Sequence, residues 1–356
     1  MNIEKLGFND WFQEQVDRSR LDDYQLARVI AVDKNSYVIN SGPGEVAAEI
    51  TGKMMFTADS PLDYPTVGDW VYAQYFDEGS FAIIHEILPR RSYLKRKTAG
   101  KKIEFQLIAA NIDTAFIVQS LDSNYNPRRL ERYLVMVKEG HIQPVVLLSK
   151  SDLLSPTELD EKKNELLELM PDVQIVTFSS LNREGLQSVK DLLGAGQTFC
   201  LLGSSGVGKT TLLNSLLDSD HLKTQSVREK DSKGKHTTTR RQLIHLADGG
   251  MVIDTPGMRE LGNISTESGL SEVFDEILAL ATECRYSDCS HTQEDGCAIL
   301  DALADGTLSE DRYQNYVKME KESTFNEMSY LEKRHKDKEF GKMIKSVLKH
   351  HPKKRS

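Results

Sequence analysis

Short apolar segments alternate with polar positions along residues 24–90 and are separated by turns rich in Gly, Pro, Asn and Asp. Alternation over four to eight residues is typical of strands with one buried face. It predicts five strands, at 27–32, 36–39, 45–50, 69–73 and 81–84. Five strands at this spacing favour a small closed barrel, most specifically an OB-like β-barrel. OB barrels often bind nucleic acid, although such a barrel can also serve only as a spacer.

The pattern changes between about 105 and 262, where apolar runs alternate with turns and helical segments. Continuous apolar runs are typical of buried parallel strands. We predict such strands at 112–118, 143–148, 173–178, 198–202 and 251–254, with helices at 157–170 and 210–217. This order predicts a doubly wound α/β sheet. After residue 266 the chain becomes largely helical.

These patterns divide the 356 residues into four parts and define a multidomain α/β fold class. The expected parts are an N-terminal extension at 1–23, the OB-like barrel at 24–100, the α/β domain at 105–262 and a helical region at 266–356. A short docking helix is expected around residues 9–12.

Composition and charge narrow the class of protein. With 45 Lys+Arg, 54 Asp+Glu and 39% hydrophobic residues, the chain is in the globular range. No apolar run approaches the roughly 18–20 residues of a membrane span, so we expect a cytoplasmic protein with no membrane contact. Three of the four cysteines lie between 284 and 297, which favours metal binding over disulfides in that compartment.

The net charge of −9 conceals two basic segments. Residues 332–356 hold ten Lys/Arg and three Asp/Glu. A second basic run, at 90–102, contains no acidic residue and is interrupted by Tyr93. Both suit a nucleic-acid backbone, and a solvated surface is the alternative.

The strongest local motif directly follows the predicted strand at 198–202. It is a complete G-x4-G-K-[ST] motif, formed by Gly203, Ser204, Ser205, Gly206, Val207, Gly208, Lys209 and Thr210. Thr211 directly follows it. The glycines let backbone N–H groups surround a phosphate, Lys209 reaches the β and γ oxygens, and Thr210 ligates Mg²⁺.

A second phosphate element ends the strand at 251–254. Asp254 can hold Mg²⁺ through water, and Gly257 leaves room for its N–H to reach the γ-phosphate. This Asp-x-x-Gly pattern is weak alone but becomes strong on a strand about 45 residues after a phosphate loop.

Ser149, Lys150 and Asp152 are the candidates for recognising the nucleotide base, because they resemble the [NT]KxD element of GTPases. There the carboxylate accepts two hydrogen bonds from guanine, and the lysine stem covers the ring. Adenine offers no such pair of donors. Ser149 departs from the usual Asn and can replace only part of the amide's contacts. Ser179 and Ser180 resemble the weaker fifth element of the family.

These elements occur in an unusual order, because the base-reading residues precede the phosphate elements. Loops at one edge of a parallel sheet can form the same site after the chain ends are moved. With a barrel before and a Cys/His cluster after, the sequence resembles the circularly permuted GTPases of the RsgA/YjeQ (EngC) family. Those are ribosome small subunit-dependent GTPases.

The resemblance implies a switch segment at 234–241, in which Thr238 is favoured to close over Mg²⁺ and the γ-phosphate. Met258 occupies the position of the water-orienting Gln of Ras-like GTPases and cannot orient water. Intrinsic hydrolysis should therefore be slow. We expect the missing group to come from His236 or from ordering on a partner, which the resemblance implies is the small ribosomal subunit.

A metal site is predicted from the spacing Cys-x4-Cys-x-His-x5-Cys. Cys284, Cys289, His291 and Cys297 supply three thiolates and one imidazole, enough for a closed structural Zn²⁺ site. The family's zinc motif has this spacing. Cys200 is expected to be ordinary core.

Together these features predict a GTP hydrolase that binds GTP or GDP with Mg²⁺ and one structural Zn²⁺. It would be a monomeric assembly factor that binds 16S rRNA on the 30S subunit and leaves after hydrolysis. A guanine-nucleotide-dependent RNA-binding adaptor with negligible turnover is the alternative. An adenine-specific ATPase or kinase is disfavoured by Asp152.

Overall fold

The computed structural model describes residues 2–33, 36–97, 105–217, 241–254 and 267–327, without the side chains of residues 254, 267 and 327. The strands are β1 (Gln25–Val32), β2 (Tyr37–Asn40), β3 (Glu45–Ile50), β4 (Trp70–Phe76), β5 (Phe81–Ile87), β6 (Tyr93–Lys97), β7 (Phe105–Ala110), β8 (Thr114–Ser120), β9 (Gln143–Ser149), β10 (Gln174–Phe178), β11 (Thr198–Leu202), β12 (Arg241–His245) and β13 (Met251–Asp254). The α-helices are α1 (Asp10–Glu14), α2 (Gly52–Thr57), α3 (Pro127–Glu139), α4 (Pro156–Leu169), α5 (Leu186–Lys190), α6 (Lys209–Leu216), α7 (Glu267–Val273), α8 (Asp275–Thr282), α9 (Ala298–Asp305) and α10 (Glu310–Glu327).

Strands β1 to β5 close into the predicted barrel. Their order is β1-β2-β3-β5-β4, and β4 pairs back to β1. All of these pairs are antiparallel except β3 with β5. The interior is filled by small and branched side chains, which suits a narrow barrel: Ala27, Val29, Ile39, Ala48, Val71, Ala73, Ala82, Ile84. The five-stranded barrel is confirmed.

The N-terminal segment covers one side of this barrel. Helix α1 forms at the expected position, and the Asn9 side chain caps it by accepting the Phe12 N–H at 3.4 Å. Phe8 and Phe12 pack on the buried Trp70, with ring centroids 4.9 and 6.0 Å away. Apolar contact therefore docks the segment on β4.

The second part of the chain forms the predicted doubly wound sheet. Its strand order is β10-β9-β8-β11-β13-β12, with parallel pairing from β10 to β13. Only β12 runs antiparallel, against β13. The carboxyl ends of the five parallel strands therefore meet at one edge, where a ligand site is expected in such sheets.

The barrel and the parallel sheet are joined through β12. This strand pairs with β1 in antiparallel register, Ala31 opposite Gln242 and Val32 opposite Arg241. Eleven strands consequently form one hydrogen-bonded sheet.

A buried arginine lies at the same junction. Arg28 on β1 is 1% exposed, and burial lowers its pKa to about 10. Its guanidinium donates to acceptors from three parts of the chain at 2.5–3.3 Å: the carbonyl oxygens of Leu6, Gly68 and Asn111 and the hydroxyl of Thr198. These bonds satisfy the buried cation and connect the extension, the barrel and the sheet.

Helices α7 and α10 pack on α3. Glu131 of α3 is fully buried and accepts Arg128 and Arg312 at 2.7 Å each. Arg312 of α10 also donates to Glu276 and to the Val273 carbonyl, at 2.7 and 2.6 Å.

Within the described ranges, no helix combines the length and apolar composition that crossing a membrane requires.

Candidate functional site

The phosphate-loop motif lies between β11 and α6, at the carboxyl edge of the sheet. Gly203 has a φ of +140°, and a Cβ there would lie 2.3 Å from the Val118 carbonyl oxygen. Gly206 and Gly208 also have positive φ, at +82° and +96°. A side chain at Gly203 would clash with β8, and the two later glycines supply backbone angles that favour glycine.

The lysine of this loop turns back over it. Lys209 Nζ donates to the carbonyl oxygens of Gly203 and Ser204 at 2.7 Å each. Thr210 and Thr211 lie exposed in the first turn of α6, and Val207 is buried under the loop. The loop thus has an ammonium group folded over it and leads into a helix N-terminus, two features suited to phosphate.

Ser149 connects the loop of the candidate base-reading residues to the loop of the phosphate-binding motif. It ends β9, is 2% exposed and donates its hydroxyl to the Val207 carbonyl at 2.6 Å. Its oxygen also lies 3.4 Å from the Gln119 carbonyl oxygen. The hydroxyl therefore contacts the protein backbone and holds two loops together.

Lys150 follows with a φ of +60°, a sparsely populated angle for a residue with a side chain. Its Nζ lies 2.6 Å from Oδ2 of Asp122, which is on the loop after β8. Burial raises the pKa of Asp122, but hydrogen bonds from Lys150, Ser120 and the Asn124 N–H outweigh it, and the pKa falls to about 2. The carboxylate stays charged at neutral pH.

Asp152 and Ser179 are brought together from two loops. The Ser179 hydroxyl donates to Asp152 Oδ1, while its oxygen accepts the N–H groups of Leu181 and Asn182 at 3.1 and 3.4 Å. Ser180 is half-buried beside it. Asp152 is thereby oriented, with one carboxylate oxygen engaged.

The second phosphate element is only partly described. Asp254 ends β13, which lies beside β11 with Ile253 opposite Cys200. Its backbone therefore reaches the same sheet edge as Gly203. Thr238, His236, Gly257 and Met258 lie outside the described residues, as does the basic tail at 332–356.

Two further residues at this edge were missed from the sequence. Asn124 donates from Nδ2 to Ser204 Oγ at 3.1 Å and to the Ser205 carbonyl at 3.3 Å. Asp122 contacts Lys150 as described above. Both lie directly after β8, and the only sequence signal was polar residues at the end of a buried strand.

The basic run at 90–102 is largely engaged within the protein. Lys101 and Lys102 lie outside the described residues. The partners within the described residues are Asp69 for Arg90, Asp113 for Arg91, Glu139 for Lys95 and Asn326 for Lys97. Much of this charge stabilises the fold.

The four predicted metal ligands form one cluster. Cys284, Cys289, His291 and Cys297 place their ligand atoms within 4.8 Å of one another. Sγ of Cys284 lies 3.9 Å from Sγ of Cys297, and His291 Nδ1 lies 3.5 and 3.4 Å from these two sulfurs. Tetrahedral Zn²⁺ with ordinary bond lengths requires roughly 3.8 Å between sulfurs and 3.5 Å between sulfur and nitrogen.

The surroundings shift the thiols of the cluster in opposite directions. Burial raises the pKa of the Cys284 thiol, but the Ala298 and Ile299 N–H groups at the start of α9 and neighbouring thiols lower it overall, whereas burial and the neighbouring thiols raise the pKa of Cys289 to about 11. The Tyr313 hydroxyl donates to the His291 carbonyl at 3.1 Å and ties the cluster to α10. The cluster could bind zinc. Cys200 lies apart from it, fully buried in the sheet, where burial raises its pKa to about 12.

A phosphate-loop motif after an interior strand of a parallel sheet, preceded in the chain by the candidate base-reading loops, defines a circularly permuted P-loop GTPase. The model of the RsgA GTPase family matches residues 87–264. The chain belongs to this family and is a GTPase.

Curated relatives cover nearly the whole chain. It is 40% identical over 346 residues to the small ribosomal subunit biogenesis GTPase RsgA 2 of Vibrio parahaemolyticus, 97% of this chain and 92% of the relative. It is 38% identical over 351 residues to RsgA 1 of Bacteroides thetaiotaomicron, 98% and 97% of the two chains.

Two solved structures share the fold. The crystal structure of YjeQ from Thermotoga maritima aligns with a TM-score of 0.63 and 27% identity, over 85% of this chain and 99% of that one. YloQ, described as a circularly permuted GTPase, aligns with a TM-score of 0.60 and 22% identity, over 88% and 100%.

Proposed function

We propose that this GTPase acts in the biogenesis of the small ribosomal subunit. It binds the 30S subunit through 16S rRNA while GTP is bound, and it leaves after hydrolysis. The relatives named small ribosomal subunit biogenesis GTPase, at 38–40% identity over nearly the full chain, support this function. With that partner, the protein works in the cytoplasm, and we propose that it does so as a monomer.

The observation that carries the nucleotide assignment is the bond from Ser149 to Val207. It fixes the loop of Asp152 against the phosphate loop, so that one nucleotide can reach both. In this proposal, Asp152 accepts the two guanine donors, and Lys150 covers the ring. Ser180 and Ser179 complete the base end of the site.

At the phosphate end, Lys209 turns from its loop carbonyls to the β and γ oxygens, and backbone N–H groups from Gly203 to Thr211 surround the phosphates. Thr210, Thr238 and Asp254 would hold Mg²⁺, directly or through water, and Gly257 would contact the γ-phosphate. Bound Mg²⁺ supplies positive charge that offsets the charge developing on the phosphates. His236 is the proposed group that orients water when the partner is bound.

The other assignments follow from the same arrangement. We propose a structural Zn²⁺ held by the four-ligand cluster, with no open coordination position. We also propose the division into the extension at 1–23, the barrel at 24–100, the GTPase domain at 105–262 and the zinc-binding region at 266–356.

Exchange of one hydrogen-bonding group tests the base assignment. In Asp152→Asn, the amide offers a donor where guanine needs an acceptor, whereas xanthine has a carbonyl oxygen at that position. We expect the affinity for GDP to fall by about 100-fold, as a mismatched polar site requires, and the affinity for xanthosine diphosphate to rise. Competition against labelled GDP measures both. Unchanged preference for GDP would contradict the assignment, and displacement of GDP by ADP from the unsubstituted protein would favour the adenine-specific alternative.

A further inference from the structure

The loop between β8 and α3, residues 121–126, lies between the two halves of the candidate nucleotide site. On one side, Asp122 Oδ2 is 2.6 Å from Lys150 Nζ. On the other side, Asn124 Nδ2 donates to the Ser204 hydroxyl oxygen and to the Ser205 carbonyl. This loop therefore contacts both the residue proposed to cover the base and the loop proposed to hold the phosphates.

The loop is itself held firmly. Asp122 Oδ1 accepts the Ser120 hydroxyl at 2.7 Å and the Asn124 N–H at 3.0 Å. Gln119 Nε2 donates to the Asn124 carbonyl at 2.9 Å. Arg129 donates to the Asn124 side-chain oxygen at 3.0 Å. A loop restrained at both ends can impose a position on its neighbours.

Without a restraint, a lysine side chain samples many rotamers, and ordering it on binding a ligand weakens affinity. The charged pair with Asp122 orders Lys150 in advance. The Asn124 amide similarly restrains the turn at Ser204 and Ser205, whose backbone must face the phosphates.

We propose that Asp122 and Asn124 are positioning residues for the guanine nucleotide, Asp122 acting through Lys150 and Asn124 acting through the phosphate loop. The inference rests on the proposed nucleotide site. In this proposal, neither residue contacts the nucleotide itself.

A double-mutant cycle on GDP affinity tests the Asp122 part. Asp122→Asn keeps the size of the side chain but removes its charge, and we expect about 10-fold weaker binding of fluorescently labelled GDP, the effect of one charge-assisted hydrogen bond. Most of the change should appear as faster release. In a Lys150→Ala background the same substitution should change affinity less than about 2-fold, because the two residues share one contact.

An equal loss of GDP affinity with Lys150 present and in the Lys150→Ala background, or no loss in either background, would overturn the proposal for Asp122. Glu86→Gln is the matched control, since it removes a carboxylate from a 2.6 Å ion pair on the barrel, and it should leave GDP affinity unchanged. Circular dichroism checks the fold of each variant. If Asp122→Asn does not fold, Asp122→Glu enters the same cycle under the same criterion.

Asn124→Ala tests the proposal that Asn124 positions the phosphate loop. It should weaken GDP binding by about 5-fold, as the loss of a neutral hydrogen bond predicts, with the same factor in the Lys150→Ala background. Unchanged GDP affinity in Asn124→Ala would overturn the proposal for Asn124. Failure of this inference is distinguishable from failure of the proposed site, because Lys209→Ala should greatly weaken GDP binding. Normal GDP binding by that variant, or none by the unsubstituted protein, would contradict the site itself and this inference with it.

Discussion

At the scale of single residues, Ser149 shows how far the sequence could be interpreted. Its departure from Asn was visible, and it suggested that a hydroxyl could replace only part of the amide's contacts. The structure gives that hydroxyl a buried contact to Val207 and proximity to the Gln119 carbonyl. These partners lie 58 and 30 residues away in sequence, so spacing along the chain could not identify them.

Removal of this hydroxyl should weaken the nucleotide site. Ser149→Ala leaves the buried Val207 carbonyl without this hydrogen bond, which costs about 1–2 kcal/mol. The loop that the bond restrains carries part of the proposed phosphate site. We expect GDP affinity to fall by about 5- to 10-fold, measured by isothermal titration calorimetry. Ser215→Ala, which removes an exposed helix hydroxyl bonded to the Thr211 carbonyl, is the control. Equal affinities for all three proteins would contradict this function of Ser149.

The pKa of Asp122 predicts a pH dependence of stability. Because the folded-state pKa is about 2 and the unfolded value is near 3.9, the folded protein binds this proton more weakly. The stabilisation is complete above about pH 5 and is lost as the pH falls toward 2. Asp122→Asn should therefore be less stable by about 1 kcal/mol at pH 6, a small value because the pair is partly exposed. Urea unfolding should show this difference shrinking near pH 2.5; a difference independent of pH would contradict the assignment.

The basic run at 90–102 shows a limit of composition. It contains no acidic residue, so it suggested a surface for RNA. Arg90, however, makes a bidentate pair with Asp69, both nitrogens 2.8 Å from the carboxylate oxygens, and Lys95 pairs with Glu139. Acidic residues from other parts of the chain pair with this run, and a count of charges within the run alone does not include them.

At the scale of elements, strong periodicity predicted most of the framework. The helix expected at 157–170 is Pro156–Leu169, and its start is set by a capping box between Ser155 and Glu158. The five buried parallel strands were also predicted. Strand β12 was not, because its five residues are mostly half-buried and its pairing with β1 joins positions more than 200 residues apart.

Helix α3 connects the GTPase sheet to the helices after residue 266 through Glu131. Glu131→Ala would leave the buried Arg312 without one of its carboxylates, and breaking a buried pair costs about 3 kcal/mol. Denaturant unfolding should report that loss of stability. The matched control is Glu272→Ala, which removes a half-exposed carboxylate of α7 that lies 3.6 Å from Lys138 of α3, and it should change stability by less than about 0.5 kcal/mol. Equal effects of the two substitutions would contradict a special contribution of Glu131.

At the scale of the whole molecule, the order of motifs in the sequence predicted the permuted sheet with a barrel before it and a Cys/His cluster after it. It did not predict that barrel and sheet form one eleven-stranded sheet. That union depends on β12 and on Arg28, whose hydrogen-bond partners include residues as far apart in sequence as Leu6 and Thr198. Hydrogen bonds from a buried charge to residues far away in the sequence leave no periodic pattern in that sequence.

The metal cluster should hold the helices after residue 266 together. Structural zinc contributes directly to folding, so its removal should loosen this region. We expect one zinc ion per chain by atomic emission, loss of that zinc in Cys297→Ser, and faster proteolysis of the region in that variant. Cys200→Ala, a cysteine buried in the sheet, should keep the zinc. A stoichiometric zinc content in Cys297→Ser with unchanged proteolysis would contradict the assignment.

The measurement that tests the account most directly is phosphate release from GTP and from ATP, with and without 30S subunits, by the unsubstituted protein and by Lys209→Ala. We predict slow release from GTP alone, because Met258 cannot orient water, and stimulation by 30S subunits of at least about 10-fold, as the addition of a catalytic group provides. The stimulation should be confined to GTP and lost in the variant. Tight guanine-nucleotide binding with no turnover on the subunit would contradict the account and favour the RNA-binding adaptor.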